Sequence, residues 1–110
     1  MSLPAPTNAD IQRIVDLVVA EVNPLRVVLF GSAARGEQSS RSDVDLMVIV
    51  PDGVNRLHVA QKLHLALGKQ RVMVPVDFVV ATPSLLARYD SRRDLVYRQA
   101  LTTGRELYAA

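Results

Sequence analysis

The sequence predicts one small α/β or α+β domain, and three features predict it. After Thr7, apolar residues recur at helical spacing, Ile11, Ile14, Val15, Val18 and Val22, which gives one helix an apolar face. The run Leu46 to Val50 is apolar without alternation, the pattern of a strand whose sheet is covered by helices on both faces. Helical segments separate and follow the candidate strands, giving the order α-β-β-α-β-α-α with a further strand at the C-terminus. At 110 residues there is room for one core, so residues 1–110 are read as a single domain.

Each element has its own local cause. Thr7 or Asn8 can cap the first helix, and Asn23-Pro24 stops it. Leu25 to Phe30 is a short strand ending at Gly31. The segment Ser32 to Ser42 is polar and is read as a loop and the working surface. Asp43 to Val50 forms the second strand and Pro51-Asp52-Gly53 a turn. Asn55 to Lys69 reads as a helix burying Leu57, Ala60, Leu63 and Leu67, with Gly68 near its end. Pro75 to Ala81 is the third strand. Thr82-Pro83, a cap followed by proline, opens a short helix through Leu85 and Leu86. A last helix runs from about Arg92 to Thr103. Gly104 is expected to end it in a left-handed conformation, and Arg105 to Tyr108 to add an edge strand.

Composition narrows the function. The net charge is only +2, and the basic residues are dispersed apart from Arg88, Arg92, Arg93 and Arg98, which are interleaved with Asp90 and Asp94. That is not the dense basic stripe of a nucleic-acid surface, so direct nucleic-acid binding is not expected. With no cysteine there are no disulfides, thiolate metal sites or cysteine nucleophiles, and a metal must be held by oxygen or histidine. No apolar run approaches the roughly 18 residues of a membrane span, and Met1 to Pro6 lacks a basic segment and an apolar signal core. The expectation is a cytoplasmic protein without a membrane partner. His58 and His64 are six residues apart on one helix and are read as surface residues; Tyr89, Tyr97 and Tyr108 are read as packing residues.

The chemistry lies in Gly31-Ser32 and in three aspartates, Asp43, Asp45 and Asp77. Residues i and i+2 of a strand share a face, so Asp43 and Asp45 project together about 7 Å apart, while Val44 and Leu46 point away. Asp77 joins them if it stands at the matching height on a neighbouring strand, with Val76 and Phe78 entering the opposite layer. Aspartate is disfavoured in strands, and an ionised carboxylate between apolar flanks costs several kcal/mol unless it is paired or metal-bound. Like charges about 4 Å apart repel by about 4 kcal/mol at an effective dielectric near 20. Mg²⁺ is the natural counter-ion, because it prefers carboxylate oxygens and completes its shell with water and substrate phosphates. Two such ions roughly 3.5 to 4 Å apart would bracket an in-line phosphoryl displacement. Asp77 is the candidate general base. Gly31 lets the backbone approach a phosphate, Ser32 offers an amide and a hydroxyl, and Arg35 can add charge-assisted bonds to the same oxygens.

Gly31-Ser32-Ala33-Ala34-Arg35-Gly36, the five intervening residues and Ser42-Asp43-Val44-Asp45-Leu46 together resemble the signature of the minimal nucleotidyltransferases, small members of the DNA polymerase β-like superfamily. Asp94 to Leu101 and Gly104 to Tyr108 resemble the end of the same family, so the likeness covers nearly the whole chain. The resemblance implies a nucleotidyltransferase fold with a mixed sheet flanked by helices, Mg²⁺ as cofactor, and transfer of AMP from ATP with release of pyrophosphate. Its metal-binding acids carry over to Asp43, Asp45 and Asp77, and its phosphate-binding pair to Gly31 and Ser32. Many members resemble antitoxins that silence a HEPN-type ribonuclease toxin by attaching AMP to one of its tyrosines. That makes a partner protein the expected acceptor; a homo-oligomer is compatible with the same reading. Two rivals are a non-catalytic antitoxin that masks its partner sterically, and a nucleotidyltransferase acting on a small molecule such as an aminoglycoside.

Overall fold

The computed structural model describes residues 6–34, 43–89 and 95–110. Helix α1, Asn8–Val22, begins with a capping box: the Thr7 hydroxyl accepts from the Asp10 amide at 3.1 Å, and the Thr7 amide donates to the Asp10 carboxylate at 2.9 Å. Such a cap is worth about 1 kcal/mol. The helix ends at Asn23, whose left-handed backbone (φ 47°) lets its N–H donate to the Val19 carbonyl.

The chain then forms β1 (Arg26–Phe30), a single helical turn α2 (Gly31–Ala34), β2 (Val44–Ile49), α3 (Arg56–Lys69), β3 (Val76–Ala81), α4 (Pro83–Ala87), α5 (Leu95–Thr103) and β4 (Arg105–Ala109). The strands make one four-stranded sheet in the order β3-β2-β1-β4. β1 is antiparallel to β2 and β4, and β2 is parallel to β3 with α3 as the crossover between them. The sheet is therefore mixed and the domain α+β, as expected, and the C-terminal segment is an edge strand.

The two faces of the sheet bury different residues, because side chains alternate along a strand. Val27 and Leu29 of β1, Val44, Leu46 and Val48 of β2, and Phe78 and Val80 of β3 pack with α1 and α3. Val28, Phe30, Met47, Ile49 and Ala81 form a smaller layer with Ala100 of α5, and Leu85, Leu86 and Tyr97 pack against it. Both faces of β2 are covered, which accounts for its unbroken apolar run. Tyr108 packs against the larger core, in line with a packing role for the tyrosines.

Several local expectations are corrected. Ser32 to Ala34, expected as the start of a loop, belong to the helical turn Gly31–Ala34, and residues 35–42 of that loop lie outside the described residues. Leu57 is 65% exposed; α3 buries Leu63 and Leu67 as expected, with Ala60 partly buried, and Val59 and Ala66 in place of Leu57, since that face meets α1 and β3. α3 closes with Arg71 in the left-handed region (φ 54°), its N–H on the Gly68 carbonyl and the Val72 N–H on that of Leu67, so Gly68 stays inside the helix. Gly104 is not left-handed. Its constraint is steric: a Cβ there would run into the Ala100 carbonyl oxygen, stand 2.6 Å from Val28 Cγ1 and 3.0 Å from the Leu29 oxygen. Glycine at this point lets the end of α5 lie against β1. Of the last helix, residues 92–94 lie outside the described residues, as do Arg92 and Arg93 of the arginine cluster.

Candidate active site

The topology brings three separate pieces of sequence to one end of the sheet. β1 runs antiparallel to β2, so the C-terminal end of β1, where Gly31 follows Phe30, lies beside the N-terminal end of β2. β3 runs parallel to β2, so its own N-terminal end comes to the same place. Phe30 pairs with Asp45, and Asp45 pairs with Asp77, one row across three strands. Parallel register partners point to the same face and stand about 4.8 Å apart.

That face is the one carrying Met47, Ile49 and Val79, opposite the layer formed by α1 and α3. Val44, Leu46, Val76 and Phe78 enter that other layer, as expected from strand alternation. Along β2 the side chains on the acid-bearing face change from Asp45, half-buried, to Met47 and Ile49, fully covered. Asp43, immediately before β2, and Asp77 are exposed. The carboxylates thus form the wet rim of a small apolar layer.

Gly31 is part of this geometry in a way its sequence context does not disclose. It is buried and has a left-handed backbone (φ 74°). A Cβ built on it would fall onto Oδ2 of Asp45 and lie 3.2 Å from Asp45 Cγ. The missing side chain is the room in which the Asp45 carboxylate sits. Gly31 and Ser32 open α2, where first-turn backbone N–H groups have no acceptor within the helix. Arg35, the remaining phosphate-binding candidate, lies outside the described residues.

Three carboxylates with no sulfur or imidazole suit a hard, oxygen-preferring cation such as Mg²⁺. The backbone frame fits this group: two of the acids are register neighbours and the third is two residues from one of them. Among the described residues no three His, Cys, Asp or Glu side chains stand together so that they could hold a metal ion. The fold supplies a common face for Asp45 and Asp77, with Asp43 just before β2. His58 and His64 stand on α3, across the sheet from the acids, and His64 packs edge-on to Phe78 with ring centroids 5.2 Å apart.

A tight turn at Gly31 stands beside a row of sheet-borne acids, and the sequence places the chain in a class over most of its length. Residues 11–101 match the nucleotidyltransferase domain family, and the chain belongs to that family and is a nucleotidyltransferase. A toxin–antitoxin crystal structure with AMP-PNP is similar at 27% identity and a TM-score of 0.61, covering 90% of this chain and 73% of that one. The toxin–antitoxin MntA–HepT is similar in fold at 23% identity and a TM-score of 0.56, covering 94% and 74%. So is the complex of a tri-AMPylated Shewanella oneidensis HEPN toxin with its MNT antitoxin, at 24% identity and a TM-score of 0.55, covering 93% and 71%. No curated protein matches the chain. The likeness to the minimal nucleotidyltransferases therefore extends from a local signature to the whole fold. Among the described residues, no helix is long and apolar enough to cross a membrane.

Proposed function

We propose that this nucleotidyltransferase moves AMP from ATP to a hydroxyl of a partner protein, a tyrosine of a HEPN-type ribonuclease toxin, and so acts as its antitoxin. The observation that supports the reading is the row Phe30–Asp45–Asp77 with Gly31 beside it at one end of the sheet. The AMP-PNP-bound and AMPylated complexes among the similar structures support the choice of nucleotide and acceptor.

In the reaction the acceptor oxygen forms a bond to the α-phosphorus of ATP, the bond from that phosphorus to the bridging oxygen breaks, and pyrophosphate leaves. Asp77 takes the proton from the attacking hydroxyl. Gly31 and Ser32 hold phosphate oxygens through backbone N–H groups at the start of α2, and Arg35 adds positive charge to them. Asp43, Asp45 and Asp77 would hold Mg²⁺, which when bound neutralises phosphate charge and lowers the pKa of the attacking hydroxyl. Most of the rate then comes from positioning and charge neutralisation.

The test is incubation of the purified chain with Mg²⁺, α-labelled ATP and the protein encoded beside its gene. Label should appear on a tyrosine of that protein and vanish with the Asp43→Asn variant. A stable complex without label would support the non-catalytic antitoxin instead. Label transferred only to aminoglycosides would support the small-molecule reading.

A further inference from the structure

The outward face of α3 is apolar where solvent should favour polar residues. Leu57 is 65% exposed and Leu65 is 66% exposed, and with Ala60, Gln61 and His64 they line a shallow groove. At about 100° and 1.5 Å per residue, Leu57 and Leu65 lie within about 80° of each other around the helix and about 12 Å apart along it. This is the spacing at which a partner helix sets successive anchors into a groove.

The charges that α3 itself carries are of one sign. α3 carries Arg56, Lys62 and Lys69 and no aspartate or glutamate. Lys62 and Lys69 fall on one flank of the leucine stripe, by the same helical geometry, whereas Arg56 lies at the helix start over the core-facing side. All three are exposed, and the one ion pair among the described residues, Arg26 with Glu106, is elsewhere. A second copy of the chain docking through the same face would set lysine against lysine. An acidic partner would meet complementary charge.

We infer that the outer face of α3 docks an amphipathic helix of the partner protein, with apolar anchors over Leu57 and Leu65 and acidic residues facing Lys62 and Lys69. The inference rests on the proposed antitoxin reading, because it takes the partner from it. α3 packs on the sheet face opposite Asp45 and Asp77, so a helix held there leaves the acid-bearing face open to nucleotide and acceptor.

The partner protein is titrated calorimetrically into the unaltered chain, a Leu57→Ser/Leu65→Ser variant and a Lys62→Glu/Lys69→Glu variant, with circular dichroism to establish that each is folded. The expected result is about 100-fold weaker binding for the leucine variant, roughly tenfold for each exposed leucine that is no longer buried. For the lysine variant the expectation is at least tenfold weaker binding and a shallower dependence on salt. Equal binding by folded leucine variants overturns this inference and leaves the antitoxin reading intact. Failure of the partner to bind the unaltered chain overturns the antitoxin reading and this inference with it. Self-association of the chain that is lost in the leucine variant assigns the face to a second copy and overturns the inference as well.

Discussion

Asp45 and Asp77, thirty-two residues apart in sequence, are partners in the parallel β2–β3 ladder and face the same side of the sheet. Neither position can be inferred from the other in sequence. The parallel crossover through α3 creates the pairing, and it sets two isolated strand aspartates side by side.

Replacing Asp45 or Asp77 by asparagine keeps the shape and removes the charge. Transfer of AMP should fall by at least about 100-fold for either variant, as for loss of a group that stabilises transition-state charge. Both side chains lie at the wet end of the sheet, so thermal unfolding should shift by no more than a few degrees. A fully active variant at either position would remove that residue from the proposed mechanism.

Gly31→Ala should be damaging for two separable reasons. Its φ of 74° is unfavourable for alanine, and the added Cβ lands on the Asp45 carboxylate. Left-handed strain alone costs about 1–2 kcal/mol. A double-mutant cycle with Asp45→Ala should return a coupling of at least about 1 kcal/mol, because removing the carboxylate relieves the clash but not the strain. Additive effects by denaturant unfolding would show that Gly31 does not make room for Asp45.

Gly104 and Gly68 should respond oppositely to alanine. At Gly104 the new Cβ meets the Ala100 and Leu29 carbonyl oxygens, which are backbone and cannot swing aside. Overpacking of this kind costs about 1–3 kcal/mol, or roughly 5–15 °C in Tm for a domain of this size. At Gly68, within α3, nothing stands within 4 Å of the added atom, and alanine should stabilise by about 0.5–1 kcal/mol. Differential scanning calorimetry of the two variants distinguishes these signs.

The turn before α3 should contribute an acid-sensitive contact. Asp52 accepts from the Ser84 amide at 3.0 Å and the Ser84 hydroxyl at 2.7 Å, tying the turn to the start of α4. The hydrogen bonds from the Ser84 backbone and then its side chain hold the Asp52 carboxyl below its ordinary value. Stabilisation from this contact is therefore present above the ordinary aspartate range and is lost as pH falls through the depressed folded value. The stability difference between the unaltered chain and Asp52→Asn should be constant near neutrality and shrink in acid. A difference that grows on acidification would reverse the sign argued here.

Local sequence was enough for most elements, because caps, breakers and apolar runs act over a few residues: Thr7 with Asp10 starts α1, and Thr82-Pro83 starts α4. It also singled out Gly31, Asp43 and Asp45, whose spacing brackets a strand end and a strand start. It misplaced Leu57 on α3, where Leu57 and Val59 are both apolar and only contact with α1 and β3 selects Val59. It misread Gly104, whose requirement comes from the approach of β1 rather than from its own backbone angle. By itself the sequence determined the α+β class and the order of the longer elements, without the turn α2, and it named Asp43, Asp45 and Asp77 as the candidate acids. The tertiary structure alone decided that Asp77 stands beside Asp45 and that Gly31 makes room for the Asp45 carboxylate. Register and packing join segments distant along the chain, and no local pattern records which of them will meet.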